Sequence, residues 1–313
     1  LGDRIALARA ITTVESKRAS DRETANNLVS QLLPYTGNSI RIGITGVPGA
    51  GKSTFIEAFG TYLTSIGKKI AVLTIDPSSA VTGGSILGDK TRMPELSRNP
   101  NAFIRTSPAG DALGGIAHHT RESVLLCEAA GYDVVVVETV GVGQSEAQVK
   151  DIVDFFMLLM LAGAGDELQG IKKGIFEQAD AVLITKADGE NELKAREAQS
   201  EYQQALHYQL ARTSGWSPKV ISTSSVTGKG IPEAWEMIES YKTKTQASGY
   251  FSHNRNQQQV QWFREQFRYL IEKELRSLKH QQQELEGQII QNRITPGQAA
   301  EQLLASYHKL MQE

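Results

Sequence analysis

The sequence predicts an α/β fold: a mainly parallel central sheet flanked by helices, with helical extensions at both ends. Three observations predict it. Short apolar runs alternate with helical patterns from Ile40 to about Lys244, as they do in a sheet covered on both faces. A complete G-x-x-x-x-G-K-[ST] stretch, Gly46-Val47-Pro48-Gly49-Ala50-Gly51-Lys52-Ser53, sits between the first such run and a helix, the context that a P-loop NTPase requires. The two flanks carry helical spacing only, which divides the chain into an N-terminal helical extension (1–37), a P-loop domain (38–245) and a C-terminal helical arm (246–313).

In chain order, residues 1 to about 36 read as one or two helices. Ile5, Leu7, Ala8 and Ile11 lie near one face, and Leu28, Leu32 and Leu33 form a second apolar group ahead of Pro34. Ile40–Ile44 alternates as a buried strand, and Phe55–Phe59 continues as a helix. Between them the glycines let the backbone wrap around a phosphate chain. Its N–H groups and the helix N-terminus then face the negative charge, Lys52 reaches the terminal phosphates, and Ser53, followed by a second hydroxyl on Thr54, holds Mg2+.

A second buried strand, Lys69–Ile75, ends at Asp76, and ligands bind at such carboxyl ends. The glycine-bearing segment from Ser78 to Pro100, which contains Asp89-Lys90-Thr91-Arg92, is expected to be a mobile switch. After a strand at Ala102–Arg105 and a helix from about Gly115 to Ala130 comes the most apolar strand, Asp133–Glu138. An acidic residue ending a buried strand, followed by Thr139-Val140-Gly141-Val142-Gly143-Gln144, supplies charge near a metal and then a free backbone N–H for a γ-phosphate. The strand Asp154–Leu161 leads into a second candidate switch, Ala162–Lys173, which carries Asp166, Glu167, Gln169 and Lys172.

The strand Asp180–Ile184 runs directly into Thr185-Lys186-Ala187-Asp188. An aspartate two residues after a lysine can accept both N1–H and N2–H of guanine while the lysine stem packs over the base; adenine offers no such pair of donors. The usual GTPase pattern is Asn-Lys-x-Asp, so the threonine is expected to cost some hydrogen bonding around the loop. The last strand, Lys219–Thr223, enters Ser224-Ser225-Val226-Thr227-Gly228, which resembles the Ser-Ala-x-x-Gly segment of GTPases, with Ser225 in place of the alanine. A helix from Pro232 to Tyr241 closes the domain. Beyond Lys244, Val260, Phe263, Phe267, Leu270, Ile271, Leu275, Leu278, Leu285 and Ile289 keep a spacing of three or four through one long amphipathic helix. Thr295-Pro296 then starts a last helix, with Ala299, Leu303, Leu304, Tyr307 and Leu310 on its inner side. A long apolar-faced arm needs a partner surface, either its own domain or another subunit, and its length favours a homodimer.

The 33 basic and 35 acidic residues nearly cancel, so no global field draws in nucleic acid or an anionic membrane, and neither is expected as a partner. The single cysteine, Cys127, excludes an internal disulfide framework and points to a reducing compartment. No apolar run approaches a membrane span and no secretory signal opens the chain, so the expected location is cytoplasmic, although Leu1 implies a short segment removed ahead of it.

Together, the phosphate loop, Asp76-Pro77-Ser78-Ser79, Gly84–Met93 and Glu138–Glu146 resemble the MeaB/ArgK GTPases, and the likeness covers nearly the whole chain. It implies a homodimeric, Mg-dependent GTPase that binds GTP and GDP. Such a protein acts as a chaperone for adenosylcobalamin-dependent methylmalonyl-CoA mutase or a related mutase, gating cofactor loading and protecting the mutase from inactivation. By the same resemblance Lys52 and Ser53 serve phosphate and metal, Asp76, Asp89 and Glu138 are acidic metal-site and switch residues, and Gly163–Lys173 is an extra switch that reports to the mutase. Gln144 is a candidate for positioning the attacking water, and Arg92 and Lys172 are candidate charge stabilisers. Two other classes share the loop. A P-loop kinase, a name this family has carried, would show an acceptor pocket and prefer adenine. A metal-insertion GTPase would carry a histidine-rich or Cys/His site, whereas here the adjacent pair His118-His119 stands apart from Cys127.

Overall fold

The structure, a computed structural model, describes residues 3–16, 18–76, 92–108, 115–139, 149–162, 173–207 and 213–310. Seven strands form one sheet: β1 (Ile40–Gly46), β2 (Ile70–Asp76), β3 (Ala102–Pro108), β4 (Val134–Thr139), β5 (Phe155–Leu161), β6 (Ala181–Thr185) and β7 (Lys219–Ser222). Their order is β3-β2-β4-β1-β5-β6-β7, and every pairing is parallel. Parallel neighbours need crossovers, which cover both faces with helices and bury strands on both sides. That is why β4 is buried at every position and β5 at all but its last, and why both read as continuous apolar runs.

Ahead of the sheet lie α1 (Arg4–Val14) and α2 (Ala19–Leu32). The Asp3 carboxylate caps α1 by accepting from the N–H groups of Ile5 at 2.7 Å and Ala6 at 3.2 Å. Leu7, Ile11 and Val14 are buried, but Ile5 is 66% exposed. Ile5 was expected on the same face as Leu7; at 100° per residue, two positions apart lie on nearly opposite sides of a helix. Leu33 is likewise exposed, in a 3-10 turn at Leu33–Tyr35 that ends the second helix.

Among the described residues the other helices of the sheet domain are α3 (Lys52–Ser65), α4 (Pro94–Arg98), α5 (Gly115–Ala129), α6 (Lys173–Gln178), α7 (Glu192–His207) and α8 (Ile231–Ala247). Phe55 and Phe59 of α3 are fully buried and stack at 5.4 Å, and Phe59 also meets Trp235 of α8 at 6.3 Å. This packing anchors the helix whose first turn follows the phosphate loop. Cys127 of α5 is fully buried, and that burial, with the Glu128 charge beside it, pushes its thiol well above its ordinary range.

At the amino ends of the central strands lies a buried ion network. Arg255, at the root of α9 (Tyr250–Leu275), donates to both Asp154 oxygens at 2.7 and 2.6 Å and to the carbonyls of Gly37 and Ser39 at 2.9 and 2.8 Å. Arg41 of β1 donates to both Glu128 oxygens at 2.8 and 2.9 Å. Burial opposes the Arg255 charge, but hydrogen bonding to Asp154 and the nearby Asp154 and Glu128 charges outweigh it and raise its pKa further. The chain accordingly divides into compact units at Leu1–Gln258 and Gln259–Glu313, a boundary inside α9 rather than at a loop.

In the second unit the single long helix expected through Ile289 is interrupted. A 3-10 turn at Arg276–Leu278 separates α9 from α10 (Lys279–Ile290), and α11 (Pro296–Leu310) follows. The interruption buries Leu278 to 4% exposure in a turn that packs on α11. Thr295 caps α11 by accepting from the Gln298 N–H at 3.2 Å. Leu304, expected on the inner side, is 55% exposed; it adjoins Leu303, which is half-buried one position, or 100°, away. Among the described residues no helix is long and apolar enough to cross a membrane.

Candidate active site

β1 lies between β4 and β5, and the phosphate loop leaves its carboxyl end. A Cβ on Gly46 would stand 2.4 Å from the Leu159 carbonyl oxygen of β5, so only glycine lets the loop start this close to its neighbour. Gly51 has φ +80° and caps α3 without a side chain, which leaves the first-turn N–H groups of that helix facing the loop. Such a helix start attracts an anion. Lys52 Nζ donates to the Gly46 carbonyl at 2.9 Å and the Val47 carbonyl at 3.4 Å, so the ammonium lies over the loop itself. Val47 and Ala50 are buried, while Pro48, Gly49 and Thr54 are exposed.

Glu138 reaches this loop from the adjacent strand. It pairs in register with Ile44 of β1 and Thr74 of β2, is 2% exposed, and accepts a hydrogen bond from Ser53 Oγ at 3.2 Å. One residue on, Thr139 Oγ1 donates to Thr45 Oγ1 at 2.9 Å and ties the ends of β4 and β1 together. A hydroxyl and a carboxylate in contact are hard oxygen donors of the kind Mg2+ prefers, so the residues present fit that ion. Asp76 ends β2, two strands from β1; its side chain lies outside the described residues. Asp89, Gln144, Asp166, Glu167, Gln169 and Lys172 also lie outside them. Arg92 is described and exposed.

The second half of the site comes from β6 and β7. Lys186 has φ +55°, a left-handed conformation that is unusual for a side-chain-bearing residue and turns the chain back directly after the strand. Its Cε lies 4.0 Å from where a Cβ on Gly51 would be, so the lysine stem runs beside the phosphate loop. Asp188 accepts from Ser224 Oγ, and the Ala187 N–H donates to the Thr223 carbonyl at 3.0 Å, which joins the two loops. Ser224 Oγ in turn accepts from the Thr227 N–H at 3.1 Å. Ser225 is half-buried, and Val226 is 83% exposed at the loop tip.

Thr185 joins β6 to the phosphate loop. Its buried hydroxyl is 2.7 Å from the Ala50 carbonyl and 3.0 Å from that of Met160, and its single proton is shared between them. The threonine still ties the end of β6 to the phosphate loop, with one proton where the two N–H groups of an asparagine amide would offer two. The Thr45–Thr139 pair is a second feature that spacing along the chain does not reveal. Neither could be found without knowing which strands adjoin.

A wholly parallel sheet with a phosphate loop at one strand end, an acidic residue beside the loop's serine, and a Lys-x-Asp turn cross-linked to it defines a P-loop GTPase. The family model for the methylmalonyl Co-A mutase-associated GTPase MeaB matches residues 7–280. The chain belongs to that family. It is 51% identical over 265 residues to the GTPase ArgK of Escherichia coli, an alignment covering 85% of this chain and 80% of that protein. It is 44% identical over 319 residues to the mitochondrial methylmalonic aciduria type A homolog of Mus musculus, covering 98% of this chain and 77% of the relative. A solved structure described as a LAO/AO transport system kinase superposes with a TM-score of 0.77 at 38% identity, over 100% of this chain and 94% of that one.

Proposed function

We propose that this GTPase is a Mg2+-dependent, homodimeric chaperone of adenosylcobalamin-dependent methylmalonyl-CoA mutase, in which nucleotide state gates cofactor loading and protects the mutase from inactivation. The observation that carries this reading is the match of residues 7–280 to a family described as associated with that mutase. A cytoplasmic location fits a chain whose one cysteine is buried and reduced.

In this reading the phosphate chain of GTP lies along Gly46–Thr54, against the first-turn N–H groups of α3. Lys52 leaves the Gly46 and Val47 carbonyls for the β- and γ-phosphates, exchanging two neutral acceptors for charged ones. Ser53 and Glu138, with Asp76 and Asp89, would hold Mg2+, which would supply positive charge beside the phosphoryl oxygens. Asp188 accepts from guanine N1 and N2, Lys186 covers the base, and the backbone of Ser224, Ser225 and Val226 meets the guanine oxygen. Gln144 orients the attacking water. Asp166, Glu167, Gln169 and Lys172 report the nucleotide to the client, and turnover is slow until the client completes the switches.

The resemblance to a structure described as a transport-system kinase supports a second reading, phosphotransfer to a small acceptor. Steady-state hydrolysis of GTP and of ATP, each with and without the mutase, separates the two. Turnover selective for GTP and changed by the mutase is expected. GTP turnover indifferent to the mutase would remove the client, and preference for ATP would favour the kinase.

A further inference from the structure

A cleft of about 610 Å³ lies between α1 and β3. β3 is an edge strand, bonded only to β2 among the described residues, so nothing in the sheet covers its outer side. Polar contacts link α1 to the strand side near both ends of the helix. Arg4 Nη1 donates to the Asn99 carbonyl at 3.3 Å at one end, and Glu15 accepts from both Arg105 and Ser107 at 2.5 Å at the other. Its volume falls within the range of small-molecule sites.

Its lining is cationic and apolar at once. Arg4, Arg9 and Arg105 face it, and no aspartate or glutamate is among the lining residues. The two carboxylates nearby are engaged: Asp3 caps α1, and Glu15 bridges Arg105 and Ser107. Among the described residues the Arg4 guanidinium donates to a neutral carbonyl, that of Asn99. The Arg9 guanidinium makes no hydrogen bond or ion pair to any described residue, although its charge helps to lower the pKa of Asp3 after that residue's bonds to Ala6 and Ile5. Arg105 Nε is buried without a hydrogen-bond partner among the described residues, a donor whose desolvation an acceptor in the cleft would offset. The Thr12 and Thr13 hydroxyls donate to the carbonyls of Ala8 and Arg9, so the donors left for a ligand are guanidinium groups. Ile5, Ala8 and Phe103 supply the apolar wall, which gives the exposed Ile5 a use.

We propose that this cleft binds a small organic oxyanion, a carboxylate or phosphate carried on an apolar body, through Arg9 and Arg4 with Arg105 at its floor. Planar guanidinium forks match both head groups, and the apolar wall holds the body. Binding is measured by calorimetry on the full chain saturated with GDP and Mg2+, so that no phosphate reports from the nucleotide loop. The probes are phenyl phosphate, phenylacetate, inorganic phosphate and benzyl alcohol.

Saturable one-to-one binding is expected for at least one of the first two, at least tenfold weaker for inorganic phosphate, and absent for the alcohol. Which of the two binds better identifies the head group. Arg9→Gln and Arg4→Gln should each weaken it tenfold or more while melting temperature and GTP hydrolysis stay unchanged, since both side chains lie on an exposed helix face. No saturable binding of either anion up to ~10 mM, a very weak interaction by any standard, would overturn the proposal. So would affinity unaltered in Arg9→Gln, and equal affinity for inorganic phosphate would overturn the assigned ligand class.

Discussion

The Thr185 hydroxyl ties the end of β6 to the phosphate loop through the Ala50 carbonyl. Thr185→Val keeps the shape and removes that bond, leaving a buried carbonyl with one partner fewer. At about 0.5–1.5 kcal/mol for a neutral hydrogen bond, GDP affinity should fall roughly two- to tenfold, measured with a fluorescent nucleotide. Thr185→Asn, which restores an amide donor, should fall less. Asp188→Asn tests the base contact directly. Bonds from guanine to a carboxylate are worth about 1.5–3 kcal/mol, so GTP should bind roughly 10- to 150-fold more weakly and xanthosine nucleotides should gain. Unchanged GTP affinity would remove Asp188 from the base site.

Among the elements, α9 belongs to the sheet domain through its root. Arg255 is 8% exposed, stacks on Phe251 at 4.6 Å, and is the cation that faces the buried Asp154 carboxylate at closest range. Arg255→Met would strand Asp154 and leave the Gly37 and Ser39 carbonyls without their donor. Removing one partner of a buried pair costs about 3–5 kcal/mol, which urea denaturation should show as a lowered midpoint. Replacing Arg255 and Asp154 together by apolar residues should cost less than the single change, because no buried charge then remains.

For the whole molecule the open question is assembly. In the second unit and at its start, Phe263 is 68% exposed, Phe267 58% and Leu270 46%, with Phe263 and Phe267 stacked at 6.3 Å. An apolar stripe on one helix face is the kind of surface that a second copy of the chain covers. If the proposed homodimer forms through this stripe, Phe263→Glu with Phe267→Glu gives a monomer by light scattering. A dimer that persists would place assembly elsewhere. A truncation meant to ask the same question should begin at Gln259. Cutting at Tyr250 would also remove Arg255, and instability of the sheet domain would then be mistaken for loss of a dimer.

By itself the sequence determined the sheet, because buried parallel strands have to be apolar along their whole length. Val134–Val137 and Phe155–Met160 are legible for that reason. It determined the phosphate loop as well, whose glycines, lysine and serine are adjacent in the chain and need no partner to be recognised. The Lys186–Asp188 turn was legible in the same way. Only the tertiary structure decided what depends on neighbours distant in the chain. It brought Glu138 to Ser53, turned the Thr185 substitution into a cross-link, and set Arg255, in a glutamine-rich stretch with no motif, against Asp154. It also broke the expected long helix at Arg276–Leu278, a 3-10 turn in which Leu278 is buried. Periodicity reports which face of an element is apolar, and strand order and packing decide what that face meets.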